Sequence, residues 1–221
     1  MGDQALSQIL LAIFARLMAR YRPQYWWPAG SPFEVMVGAI LTQNTGWRNV
    51  ERAIENLRRE RLLNPGKLYR LPRRKLARMI KPAGYYNIKA KRLSNFLAFL
   101  HRNHRADIKK ISSLETGKLR QQLLAVNGIG PETADSILLY ALNKPVFVVD
   151  VYTRRVLGRH GLVKDSASYD EVQKIFMQNV QNKVKLYNEY HALLVRLAKE
   201  FCLKNKPRCS PCPLNSRSCY A

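Results

Sequence analysis

Acidic side chains are scarce in this chain. Its 221 residues hold 15 Asp and Glu against 38 Lys and Arg, a formal net charge of +23 at neutral pH. Between residues 61 and 110 a single acid, Asp107, stands among fifteen Lys and Arg. A charge run is ordinarily a solvated face, but self-repulsion on this scale opposes compactness and implies a polyanionic partner. Cysteine is absent before residue 202, which excludes a disulfide framework for the body of the chain. Long apolar runs are absent as well: the longest early stretch, Ala5 to Ala15, stops at Arg16. With no basic leader ahead of it, the expectation is an intracellular protein without a membrane partner. No solenoid-period repeat and no Gly/Ser- or Pro-rich linker interrupts the chain. One domain of moderate size, or two small lobes, is therefore expected.

What is present is helical spacing. With 47% hydrophobic residues the chain has ample core. Apolar positions recur at helical intervals over 4–21, 32–43, 47–60, 73–80, 87–103, 114–125, 132–142, 151–160, 168–180 and 187–200. Breaks are predicted at Pro23, Pro28, Pro65-Gly66, Pro82-Gly84, Gly128-Gly130 and Lys144-Pro145. Val146 to Val149 is apolar and short, and reads as a connection because no partner strand is evident. The fold class is all-α. Tyr69, Tyr85, Tyr86, Phe96 and Phe99 are interleaved with the cations of residues 61–110, as on a nucleic-acid surface. Charge alone fits ribosomal or membrane-surface binding equally well.

Two stretches carry chemistry. Val126-Asn127-Gly128-Ile129-Gly130-Pro131-Glu132 lies between two apolar helix faces, Leu114/Leu119/Leu123/Leu124 and Ala134/Ile137/Leu138/Ala141. Gly128 and Gly130 are expected to take positive φ and let the backbone approach another molecule closely. Pro131 suits the first helical position, and the helix start favours a phosphate. A lone Gly-x-Gly can equally just turn the chain. Eighteen residues after Glu132 comes Asp150, which is expected to cap the helix beginning at Val151. The second stretch holds all four cysteines, Cys202, Cys209, Cys212 and Cys219, spaced C-x6-C-x2-C-x6-C. In an intracellular protein this reads as one metal site, and the spacing leaves zinc and an iron–sulfur cluster both open.

The order of these motifs resembles the helix-hairpin-helix DNA glycosylase superfamily, endonuclease III branch, along nearly the whole chain. Ile40-Leu41-Thr42-Gln43-Asn44-Thr45 resembles the segment whose Gln probes the DNA stack. Gly84-Tyr85-Tyr86-Asn87-Ile88-Lys89-Ala90-Lys91 resembles the basic turn, Val126 to Gly130 the hairpin, and Val149-Asp150 the catalytic aspartate. The resemblance implies a 4Fe–4S cluster on the four cysteines. It also implies DNA contacts through Gln43, Gly128, Ile129, Gly130 and Lys89. Two lobes around a DNA groove are expected: residues 29–134, ending in the hairpin, and residues 1–28 with 135–221, carrying Asp150 and the cluster loop 202–219. A monomer acting on double-stranded DNA with a damaged base is implied.

Departures from the branch sharpen the expectation. Where its bifunctional members carry a lysine that forms a Schiff base with the sugar, this chain has Glu132. A carboxylate cannot form an imine, so a monofunctional DNA N-glycosylase without AP-lyase activity is expected. Asp150 would stabilise the oxocarbenium-like sugar and activate water. Trp26-Trp27-Pro28 and Trp47 are similar to the base pocket of the 3-methyladenine DNA glycosylases. A cationic alkylated purine gains cation–π attraction on indoles beyond ordinary stacking. Two other functions stay open: a monofunctional glycosylase for mismatched or deaminated bases, and a non-catalytic helix-hairpin-helix DNA-binding protein. His101, His104, His160 and His191 show no ligand spacing and are assigned no role.

Overall fold

A computed structural model describes residues 3–27 and 29–215. Twelve α-helices and no strands occur among the described residues. They are α1 Asp3–Tyr21, α2 Pro32–Leu41, α3 Trp47–Arg59, α4 Pro65–Arg70, α5 Arg73–Met79, α6 Tyr86–His104, α7 Ile108–Ser112, α8 Thr116–Leu124, α9 Pro131–Ser136, α10 Val151–Arg159, α11 Tyr169–Asn179 and α12 Val184–Glu200. A π-helical turn, Ile137–Ala141, continues α9. The chain forms two compact units: a central one, Trp27–Lys144, and a terminal one, Met1–Trp26 with Pro145–Ala221. Both helices of the glycine hairpin, α8 and α9 with its π turn, fall within the central unit.

In the central unit α2 is the innermost helix. Every residue from Phe33 to Leu41 is buried, as expected of a helix apolar all round. Ser31 caps it by accepting the Glu34 amide at 3.2 Å, and Pro32 occupies the first turn. The helix packs against α3, α6, α9 and the π turn. Two short helices, α4 and α7, stand where the sequence pattern predicts none. Pro65-Gly66, expected as a break, instead opens α4: the Asn64 side chain accepts the Lys67 amide at 3.0 Å, and Pro65 follows it. Cap and proline together start a helix too short to show a period.

The terminal unit is built on an aromatic core. Phe147 stacks on Phe176 with centroids 3.7 Å apart and meets Tyr187 and Tyr190 edge-on. Such pairs contribute beyond their buried area. This draws the connection Val146–Val149 inside, where all four side chains are buried. Its backbone is satisfied by α11 rather than by a strand: Gln173 donates to the Phe147 carbonyl at 2.6 Å, and the Val149 amide donates to the Tyr169 hydroxyl at 3.3 Å. A Ser168–Glu171 capping box fixes the start of α11.

Candidate active site and nucleic-acid interface

Asp150 caps α10 as expected. Its Oδ1 accepts the Thr153 amide at 2.7 Å, and the residue is only 9% exposed. Oδ2 lies 3.4 Å from Nε2 of His191 on α12, at ion-pair range rather than that of a tight hydrogen bond. Burial disfavours the ionised carboxyl, but His191 and the Thr153 amide and hydroxyl outweigh it and hold Asp150 below the usual carboxylate range. The result is a dry carboxylate that stays charged at neutral pH.

His191 is a functional candidate that sequence reasoning missed. It lies 41 positions beyond Asp150 and is brought to it by the packing of α10 on α12. The one available signal was its place on the apolar face of α12, with buried Tyr187, Tyr190 and Leu194. Trp26, in the same unit, stands edge-on to His191 at 6.4 Å, and the Lys199 amine lies 6.0 Å from the indole centre.

The glycine hairpin is held by side chains of its own unit. Gly128 has φ of +97°, and a Cβ there would lie 2.3 Å from Cγ of Arg92. This glycine is thus required both for its backbone angle and for close approach. Gly130 departs from the expectation: its φ is −93°, extended backbone, and it serves as the N-cap of α9 with Pro131 next. A helix N-cap sits in the β region, so one left-handed residue suffices to turn the hairpin. Gln43 reaches across to this turn. Its Nε2 donates to the Gly128 carbonyl at 3.0 Å and to the Thr133 hydroxyl at 2.9 Å. Its Oε1 accepts Arg92 Nη1 at 2.6 Å. Arg92 and Thr133 join the candidate residues on this evidence, and nothing in their local sequence singled them out.

Two expected DNA contacts need correction. Lys89 is 1% exposed, and its amine donates to the carbonyls of Leu41 at 2.8 Å and Ala83 at 2.7 Å. Burial, and then the charge of Arg92, pull its pKa down to about 8. The amine closes the end of α2 instead of facing a phosphate. Ile129 is 4% exposed, and its amide donates to the Val126 carbonyl at 2.9 Å. Its side chain is a hydrophobic plug for the hairpin, which leaves exposed Gly130 as the open edge.

Of the expected base-pocket residues, Trp27 and Trp47 come together edge-on, with centroids 5.2 Å apart. Tyr140, on the π turn, stacks on Trp27 at 5.1 Å. Gly38 leaves room for the Trp27 ring, since a Cβ there would lie 3.3 Å from it. Trp47 Nε1 donates to Glu51 at 2.7 Å. These rings border a cleft of about 380 Å³ that Glu34, Arg48 and Arg58 also line. Trp26 belongs to the terminal unit, and Pro28 lies outside the described residues.

The cysteine loop is pinned from α10. Arg155 donates to the carbonyls of Cys202 and Ala198, and Arg159 donates to those of Leu203 and Lys204. Arg159 Nη1 also lies 3.3 Å from Cys202 Sγ as a donor. Cys202, Cys209 and Cys212 are free of disulfides. Burial raises the Cys212 thiol, and the neighbouring Cys202 and Cys209 raise it further. Among the described residues no three His, Cys, Asp or Glu side chains are arranged around a single metal ion. Cys219 lies outside the described residues.

A Methanocaldococcus jannaschii protein, provisionally named a DNA repair glycosylase, is 47% identical over 94% of each chain. The H. pylori 3-methyladenine DNA glycosylase MagIII, solved with 1,N6-ethenoadenine, matches with 30% identity and a TM-score of 0.74, over 90% of this chain and 98% of that one. A covalent endonuclease III–DNA complex shares the fold, with 21% identity and a TM-score of 0.80 over 97% and 94% of the two chains. No helix among the described residues is long and apolar enough to cross a membrane. The HhH-GPD superfamily matches residues 37–182, the stretch that contains Gln43, the glycine hairpin and Asp150, and the chain therefore belongs to this superfamily of base excision DNA repair proteins.

Proposed function

We propose that the chain is a monofunctional DNA glycosylase that hydrolyses the N-glycosidic bond of damaged bases, with alkylated purines such as 3-methyladenine as its substrates. The observation that carries the reading is Asp150, a buried carboxylate held in its charged form. As the bond from C1′ to the base nitrogen breaks, the electron pair leaves with the base and the sugar gains positive charge. A carboxylate in a low-dielectric setting stabilises that charge and accepts a proton from the incoming water. An alkylated purine is already cationic, so its departure requires no acid and no amine nucleophile. Exposed Glu132 at the second position of α9, where a lysine would be needed for imine chemistry, supports hydrolysis without strand cleavage. The buried Lys89 amine is committed to two backbone carbonyls and offers no substitute.

Substrate choice rests on aromatic surface. In the central unit Trp27 and Trp47, edge-on to one another, present indoles for stacking a flipped cationic base; in the terminal unit Trp26 presents another. Likeness to a 3-methyladenine DNA glycosylase of 30% identity supports this choice. The backbone of Gly128 and Gly130, with Gln43 beside it, is the proposed grip on the duplex. Cys202, Cys209 and Cys212, with Cys219 outside the described residues, are the proposed ligands of a 4Fe–4S cluster, and Arg159 donates to the Cys202 sulfur. Such a cluster would hold the shape of the C-terminal loop.

The test is base release from duplexes carrying single lesions: 3-methyladenine, 7-methylguanine, hypoxanthine, uracil, an oxidised pyrimidine, or a mismatched A or T. Release of alkylated purines, with strand breaks only after alkali, is the expected result. Breaks without alkali would overturn the monofunctional reading. Release confined to mismatched or deaminated bases would keep Asp150 and discard the aromatic account.

A further inference from the structure

We infer that His191 is the positioning residue for Asp150: its imidazole fixes the second carboxylate oxygen, as the Thr153 amide fixes the first. The inference rests on the proposed glycosylase reading, which assigns the reaction to Asp150 but leaves its orientation unexplained. An N-cap bond alone leaves a carboxylate free to rotate about its Cβ–Cγ bond. Here Oδ1 takes the Thr153 amide at 2.7 Å, and Oδ2 faces His191 Nε2 at 3.4 Å. Both groups come from the rigid helices α10 and α12, whose packing sets the distance between them.

The surroundings leave His191 as the titratable side chain set against this carboxylate. On α10, Arg154 is turned to the Ala167 carbonyl, and Arg155 to those of Cys202 and Ala198. On α11, the Tyr169 hydroxyl accepts the Val149 amide. On α12, Tyr187 donates to the Val180 carbonyl and Tyr190 to that of Leu10. The imidazole is itself 6% exposed and walled by the edges of Trp26 and Phe147. It can move little, so the carboxylate it faces is held with it. The same contact places an indole of the proposed stacking surface against the group that orients the reacting oxygen. A base stacked on Trp26 would be registered at Asp150 through one imidazole.

Substitution of His191 by Phe removes the N–H while keeping a flat ring. His191→Gln restores a donor of similar reach.

The experiment pairs two readouts on the full-length protein. One is the pH profile of kcat and KM for 7-methylguanine release from methylated duplex DNA. The other is the ¹³C titration of the Asp150 carboxyl without DNA, assigned by its loss in Asp150→Asn. In His191→Phe the carboxyl is expected to titrate at higher pH, and the acid limb of kcat to move with it. At neutral pH, kcat should fall roughly 10- to 100-fold, the cost of misplacing a reacting group. KM should stay unchanged, since ground-state DNA contacts are untouched. His191→Gln should recover most of both. Should His191→Phe fail to fold, the wild-type protein carries the test: the ¹⁵N shifts of the His191 ring must show a step at the Asp150 titration.

An unmoved Asp150 titration in a folded His191→Phe variant, or no such step in the wild type, overturns the inference. A moved titration with an unmoved kcat limb overturns its bearing on catalysis. Failure of the glycosylase reading looks different: wild-type protein then releases no base, or Asp150→Asn releases it undiminished, whatever the carboxyl titration reports.

Discussion

The two units hold their polar groups in opposite ways. In the central unit Gln43, Arg92, Gly128 and Thr133 bond to one another with Gln43 and Arg92 half-buried. Water competes at such a surface, so each bond contributes about 1 kcal/mol and the geometry stays adjustable. In the terminal unit Asp150 is buried with one imidazole and one amide. There a charge interacts strongly, and an unpaired polar group is costly. The first arrangement suits gripping a duplex whose local shape varies. The second suits a reaction in which charge develops at one atom. Changes at the carboxylate should therefore register in rate, and changes around the hairpin in stability and affinity.

Asp150→Asn puts the largest stress on this contrast. Asn caps a helix as well as Asp does, so the melting temperature should change little. Base release should fall roughly 10²- to 10⁴-fold, the range of a lost acid–base group. Near-normal release by a folded variant would remove the chemical role of the terminal unit. Arg120→Ala asks whether the central unit also has a buried charge that matters. Arg120 Nε donates to fully buried Asp135 at 2.7 Å. Removing the guanidinium should cost about 3–5 kcal/mol in chemical denaturation. The surviving folded protein should still release base, and a double change with Asp135→Ala should recover much of the stability.

Gly128→Ala tests the hairpin itself. With φ of +97° and Arg92 in the way, the variant should lose about 1–3 kcal/mol and bind duplex DNA more weakly, measured by melting and by fluorescence anisotropy. Unchanged affinity would detach the hairpin from DNA binding. The smallest effect concerns Lys89, whose pKa lies near 8 against an ordinary 10.5. Between those values the unfolded chain binds more protons than the folded one, so this residue makes stability rise with pH across the window. Below it the penalty of the buried charge is constant. Lys89→Met should abolish that rise, as followed by denaturation at pH 7.5 to 10.5, and NMR of the lysine amine should give its midpoint directly.

Much of the fold was legible in local pattern. Ten helical segments follow from apolar spacing, because a helix that buries one face must repeat near 3.6 residues. Two helices, α4 and α7, escaped because five or six residues hold less than two turns. The continuation of α9 into a π turn was also invisible, yet it carries Tyr140, which stacks on Trp27. Lys89 and Ile129 were misjudged for one reason. A motif identifies a segment but not the direction of each side chain, and both of these point into their own unit. His191 and Arg92 were missed for the converse reason: their roles consist of contacts with residues 41 and 49 positions away.

By itself, then, the sequence determined the helical class, the basic surface, the superfamily motifs, the glycine at the hairpin turn and the carboxylate at a helix start. Each depends on spacing or on backbone chemistry within a few residues, where the chain has little choice. The tertiary structure alone decided which imidazole meets Asp150, which amide braces the hairpin and which lysine loses contact with solvent. Those outcomes depend on how helices distant in sequence pack, and side chains at the contact take their partners, burial and charge state from that packing.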